Sequence, residues 1–101
     1  MPGKPVVLIT VLKVESKNQE ALIALLKQNI DIVVRTLDGW KTSRLIAAAD
    51  GASVIIYSEW DTPAALEAMR DEPRMKTYFP KILALASVDS IVGATVLSES
   101  P

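Results

Sequence analysis

The sequence has no histidine and no cysteine, and only one phenylalanine and four glycines among its 101 residues. Without histidine it cannot assemble Ser-His-Asp or Cys-His nucleophile systems, a His-ligated zinc site or a proximal-His haem. It also lacks the side chain that most often moves protons near neutral pH. Without cysteine there is no disulfide, which is consistent with a reducing compartment. Neither sign of charge dominates: 11 Lys and Arg stand against 12 Asp and Glu, so there is no basic surplus to follow a phosphate backbone. No apolar run approaches the roughly 20 residues that span a bilayer. The opening "MPGKPVVLIT" is too short and too broken by proline for a signal peptide. These absences point to a cytoplasmic protein with no nucleic-acid or membrane partner. Any catalysis is left to carboxylates, Tyr, Lys, Arg, Ser or Thr, or to the substrate itself.

Apolar residues, by contrast, are plentiful: half of the chain is hydrophobic, above the usual share once glycine is set aside. The length fits one domain, residues 1–101, with a core small enough that association would help it. Residues 5–14, "PVVLITVLKV", are short and β-branched and read as a strand. Ser16 and Gln19 form an S-x-x-Q capping box, and Leu22, Leu25, Leu26, Ile30, Val33 and Leu37 follow at helical spacing up to Asp38-Gly39. Residues 40–48 and 52–60 read as strands joined around Asp50-Gly51, a strong hairpin signal. Thr62 is a natural N-cap with Pro63 at the first helical position, predicting a helix over 63–71. Pro73 starts a short turn that Pro80 interrupts, helix resumes over Lys81 to Ala86, and residues 88–97 form the last strand.

The order β-α-β-β-α-β is that of a ferredoxin-like α+β fold, a four-stranded antiparallel sheet with its helices on one face. Its first strand is apolar on both sides, with Val6, Leu8, Leu12 and Val14 on one and Val7, Ile9 and Val11 on the other. The second sheet face therefore needs a cover, and a second copy of the chain, packed sheet to sheet in a homodimer, would supply it.

The hairpin register decides what shares a face with Trp60. A two-residue Asp50-Gly51 turn pairs Arg44 with Tyr57; a three-residue loop, Ala49 to Gly51, pairs Arg44 with Ile56 and Trp40 with Trp60. The second choice sorts apolar from polar residues better and is adopted. It gathers Trp40, Ile46, Ile56 and Trp60 under the helices, with Thr42, Arg44 and Ser58 as the polar exceptions, and brings Leu66 and Met69 onto Trp60. A guanidinium on such a face is expensive unless it reaches water or a partner. Arg44 and Trp60 are accordingly expected to look into one cavity that holds an anionic or carbonyl ligand. Tyr78 is expected near its mouth.

Taken together, "VVLITVLKV", "LDGWKTSRLI", "EPRMKTYFPKILAL" and above all the Y-x-E-W-x-[ST]-x-x-A-L run at Tyr57 to Leu66 resemble the antibiotic-biosynthesis monooxygenase family of dimeric α+β barrels. The resemblance implies a homodimer paired through its sheets, a pocket between sheet and helices, and oxidation of a small aromatic, quinol or polyketide-like molecule by dioxygen with no metal or flavin cofactor. Trp60 matches the family tryptophan. Ile46, Ile56 and Leu66 stand where members that form quinones carry histidine, asparagine and tyrosine, Met69 stands at the histidine of the A-L-x-x-H version of the motif, and Thr10 replaces the first-strand asparagine of the haem-degrading branch. On this reading Arg44 and Trp60 would be the catalytic pair. Thr10, Trp40, Thr42, Ile46, Ile56, Ser58, Leu66, Met69 and Tyr78 would bind substrate. A non-catalytic small-molecule sensor and an isomerase or cyclase on the same scaffold are the alternatives.

Overall fold

The computed structural model describes residues 5–101, and the reading of the opening Met-Pro-Gly-Lys segment lies outside the described residues. The elements are β1 (Val6–Val14), α1 (Gln19–Ile32), β2 (Trp40–Ala47), β3 (Ser53–Trp60), α2 (Pro63–Asp71), α3 (Pro73–Leu83) and β4 (Ala86–Gly93), with 3-10 turns at Ser16–Asn18 and Val34–Thr36. The strands lie in the order β2-β3-β1-β4, each neighbouring pair antiparallel. This is the expected ferredoxin-like α+β arrangement, with its second helical segment divided between α2 and α3.

The start of α1 differs from expectation. No side-chain cap forms at Ser16 or Asn18. The Gln19 amide instead donates to the carbonyls of Ala48 (3.3 Å) and Ser53 (3.1 Å), where the hairpin ladder runs out. A local cap is thus exchanged for a tie between the helix and the hairpin. The helix also stops at Ile32 rather than at Asp38. The crowded run Ile30, Ile32, Val33, Val34 restricts side-chain rotation against the preceding turn, and the chain tightens into the 3-10 turn.

At α2 the expectation holds: Thr62 Oγ1 accepts from the Ala65 amide at 3.1 Å, and Pro63 occupies the first turn. The α2–α3 corner carries Arg74 2.7 Å from Glu72. The hydrogen bond from the Arg74 side chain holds the Glu72 carboxyl below its ordinary pKa. Its small, solvent-screened contribution is present above the unfolded carboxyl's pKa and is lost as the pH falls through the folded one.

Pro80 does not break α3, which runs on to Leu83. The amide it removes would have met the carbonyl of Lys76, an exposed residue, where water substitutes for it. Ala86 accordingly begins β4 rather than ending a helix. That strand stops at Gly93, opposite Val7. Residues 94–97, expected in the strand, lie outside it, with Val96 and Leu97 exposed.

The register of β2 on β3 is the main correction. Trp40 pairs with Trp60 as expected, but a bulge between Trp40 and Thr42 shifts the rest, so that Ser43 pairs with Ser58, Arg44 with Tyr57, Leu45 with Ile56 and Ile46 with Ile55. One extra residue in β2 lets the tryptophan pair coexist with a ladder that ends at Ala48 and Ser53, above a loop that opens with the Ala48–Gly51 turn. Ser43, Leu45 and Ala47 therefore share the helix-covered face with Ile56, Ser58 and Trp60. Thr42, Arg44 and Ile46 lie on the opposite face with Ile55, Tyr57 and Glu59.

The core lies between sheet and helices in two clusters. One joins Val6, Leu8, Val33, Val34, Trp60, Leu66, Met69 and Met75; the other joins Leu12, Val14, Leu22, Leu26, Val54, Ile82 and Ala86. Gly39, at the entry to β2, packs against α2. Its φ is +82°, and an added Cβ would lie 2.5 Å from that of Ala65. Gly39→Ala is expected to lower stability in urea denaturation by about 1–3 kcal/mol, from left-handed backbone strain and overpacking together.

Candidate functional site

Between the two clusters lies a cavity of about 210 Å³. Its position follows from the middle of the strands, where Thr10 separates Leu8 from Leu12 on β1 and Ser58 separates Ile56 from Trp60 on β3. Small polar side chains at these points leave the helices nothing bulky to close upon. Thr10, Ser58, Ile56 and Ser43 form the floor and Trp60 an end wall; Leu26, Asn29 and Ile30 of α1 and Met69 and Met75 of α2 and α3 complete the enclosure. Phe79, Leu83, Val88 and Ser90, all exposed, stand where it opens between α3 and β4.

Trp60 is 1 % exposed, and Leu66 and Met69 join it in one cluster, as its place before α2 predicts. Thr10, Ile56, Ser58, Trp60 and Met69 line the cavity as expected. Leu66 is buried in the same cluster as Trp60 without reaching the space. Tyr78 packs between the two clusters with the Lys81 ammonium 5.8 Å from its ring centre. Trp40 borders a separate open depression with Ser43 and Leu45. Arg44, Thr42 and Ile46 do not reach the cavity, since the register turns them to the other side of the sheet. The expectation that Arg44 and Trp60 share one enclosed space is therefore corrected.

The polar groups of the site form a short series. The Trp60 indole Nε1 donates to Ser58 Oγ at 3.3 Å, and the Trp40 Nε1 donates to Ser43 Oγ at 2.9 Å. Above them the Asn29 amide Nδ2 donates to Met75 Sδ at 3.3 Å, a weak acceptor for a residue only 5 % exposed. Thr10 is buried and makes no side-chain hydrogen bond among the described residues. The single charged lining residue among those described, Arg70, pairs with Glu67 at 3.1 Å and its side chain remains 40 % exposed. Among the described residues, no carboxylate, tyrosine or lysine lines the space. It is a neutral, apolar chamber with hydroxyls along its floor, suited to a flat uncharged ring system that carries oxygen.

Sequence reasoning missed Asn29, Ser43, Ser90, Met75 and Phe79. Asn29 had a signal: it interrupts the buried stripe Leu22, Leu26, Asn29, Val33, where an amide is out of place. Ser43 was hidden by the bulge. Met75 and Phe79 follow from a helix that continues through Pro80.

The family model for antibiotic biosynthesis monooxygenase matches residues 5–81. Among solved structures, Rv0793 from Mycobacterium tuberculosis is 26% identical with a TM-score of 0.83, covering 96% of this chain and 100% of that one. A monooxygenase from the ActVA-Orf6 gene of Streptomyces coelicolor, solved with the ligand Nanaomycin D, is 17% identical, TM-score 0.87, with 97% and 93% covered. SnoaB from Streptomyces nogalater, described as a cofactor-independent oxygenase, is 13% identical, TM-score 0.80, with 95% and 97% covered. Comparison with the curated proteins finds no match.

Each indole–hydroxyl pair can be tested by stability alone. Ser58→Ala leaves the buried indole N–H without an acceptor and is expected to cost about 1–3 kcal/mol. In a double-mutant cycle with Trp60→Phe, measured by urea denaturation, the second substitution should cost less in the Ser58→Ala background than in the wild type.

Proposed function

The chain belongs to the antibiotic biosynthesis monooxygenase family, and from that premise we propose that it oxidises a small aromatic, quinol or polyketide-like molecule with dioxygen in the cavity beneath its helices, without metal or flavin. The observation that carries the reading is the chamber itself, apolar, neutral and walled by Trp60. For an activated methylene between rings the balance closes without an outside reductant. The substrate enolate gives an electron to dioxygen, the radicals join, and the peroxide loses water; one oxygen atom remains as a carbonyl. The protein's tasks are to hold the ring, stabilise the anion and exclude bulk water.

Among the described residues no general base lines the chamber, so the substrate's proton leaves to water at the mouth, and acidic phenols or enols are the favoured class. The same lack of a general base among the described lining residues favours a second reading, in which the chamber binds such molecules as a carrier or sensor and does not turn them over.

The outer sheet face bears on assembly. It presents Ile9, Ile46 and Ile91, exposed by 36%, 47% and 66%, beside the half-buried Val11, Ile55 and Tyr57. Burying such a surface against the same face of a second copy stabilises both sheets, and the homodimer is part of this proposal.

Oxygen uptake is expected with a single- or two-ring quinol, where the same sequence at a ring C–H turns quinol and dioxygen into a hydroxyquinone and water. Ser90→Trp, at the exposed mouth, is expected to lower kcat/KM about tenfold or more without a change in melting temperature. Saturable quenching of tryptophan fluorescence by the same quinols with no uptake selects the carrier reading. In sedimentation velocity the wild type is expected as a dimer at micromolar concentration and Ile91→Lys as a monomer; a wild-type monomer rejects the homodimer.

A further inference from the structure

An indole nitrogen can only donate a hydrogen bond, whereas a serine hydroxyl can accept and also donate one. Trp40 and Trp60 donate to Ser43 and Ser58 respectively. Each serine oxygen is thereby engaged as an acceptor, and each keeps its own O–H proton. Among the described residues neither proton has a protein acceptor. Ser58 is only 4 % exposed, so solvent is not freely at hand to take its proton.

The two serines are direct partners across β2 and β3, and both line the chamber. Cβ atoms of residues so opposed lie about 4.5–5.5 Å apart. Two hydroxyls at that separation can converge on one atom placed between and above them. The bulge creates this arrangement. In a regular strand Trp40 and Ser43, three residues apart, would point to opposite faces; the extra residue puts both on the helix side, next to the Trp60–Ser58 pair. Two tryptophans and two serines thus make a four-residue unit that fixes the direction in which both hydroxyl protons are offered.

We propose that Ser43 and Ser58, each held as an acceptor by a tryptophan, form a paired hydroxyl site that donates to a single oxygen of the bound ring, a ketone carbonyl or a phenolate, and so set the chamber's specificity. The proposal rests on the reading of this chamber as a small-molecule site and names the ligand's polar end. The chamber also limits ligand size. At about 210 Å³ it lies below the roughly 300–1,000 Å³ of sites for drug-sized molecules, which points to one or two rings rather than three or four. Placing a developing oxyanion over two aimed O–H donors stabilises it in the same way as other preorganised donor pairs. Trp40 acts here as a positioning residue, through Ser43.

The test is binding, so that it does not depend on turnover. Ligand-observed NMR titration compares 1-indanone with indane, the same two-ring frame without the oxygen. Wild type is expected to bind the ketone more tightly than the hydrocarbon. Ser43→Ala and Ser58→Ala are each expected to weaken the ketone by about threefold to tenfold and to leave indane within about twofold. Ser43→Thr, which keeps the hydroxyl, is expected to keep the preference, and Trp40→Phe to reduce it while Ser43 remains. Ser43 is half-buried, so its variants keep the test valid if Ser58→Ala fails to fold. Equal loss of both ligands, or an unchanged preference in Ser43→Ala, overturns the hydroxyl pair while leaving the chamber as a binding site. No binding of either molecule to the wild type overturns the chamber reading and this proposal together.

Discussion

One extra residue in β2 governs the functional geometry of this protein. Strand side chains alternate between faces, so inserting Lys41 without a partner on β3 exchanges every side chain from Thr42 to Ala47 between the helix side and the open side. With the bulge, serine and leucine face the helices and the guanidinium of Arg44 stays in water. Without it, Arg44 would lie under α1 at a desolvation cost that nothing on that face offsets. The bulge also leaves Trp40 opposite Trp60 at the end of the ladder, so the indole pair and the hydroxyl pair arise from the same irregularity.

The chamber is a consequence of how a small core is divided. Sheet and helices close tightly at both ends, around Trp60 and Leu66 on one side and around Leu22, Leu26 and Val54 on the other. At the centre, Thr10 and Ser58 present short polar side chains where a core of this size would be more stable with leucine or isoleucine. The chain thus forgoes packing at its midpoint, a loss that the ligand binding proposed there would offset. The Asn29 amide meets only the weakly accepting thioether of Met75, and the serine hydroxyls accept from the indoles while keeping their own protons, which leaves capacity for a guest.

Much of the fold was legible in the residues. The β-branched first strand, Thr62-Pro63, the Asp50-Gly51 turn and the Y-x-E-W signature each acted through local chemistry that the structure repeats, and Trp60 came to lie under Leu66 and Met69 as its position before α2 required. The site was less legible because it depends on register. The Trp40–Trp60 and Arg44–Tyr57 pairings are alternatives in a regular ladder, and only the bulge reconciles them, so a reading without it puts Arg44 on the wrong face and hides Ser43. Gln19 and Pro80 misled in another way. Each carries a strong local rule, a cap and a helix break, that a tertiary hydrogen bond in one case and solvent access in the other sets aside.

The two surfaces of the chamber differ in stiffness. Its floor is a hydrogen-bonded sheet whose hydroxyls are fixed by indoles, whereas Met69 and Met75 on the helix side are unbranched thioethers that turn about three bonds and fit many outlines. A ceiling of this kind adapts to the contour of whatever ring lies below it, while the floor tolerates an oxygen in one place. For the ligand site proposed above, discrimination would be made by substitution pattern more than by silhouette, and molecules of unlike shape that share one well-placed oxygen would be admitted together.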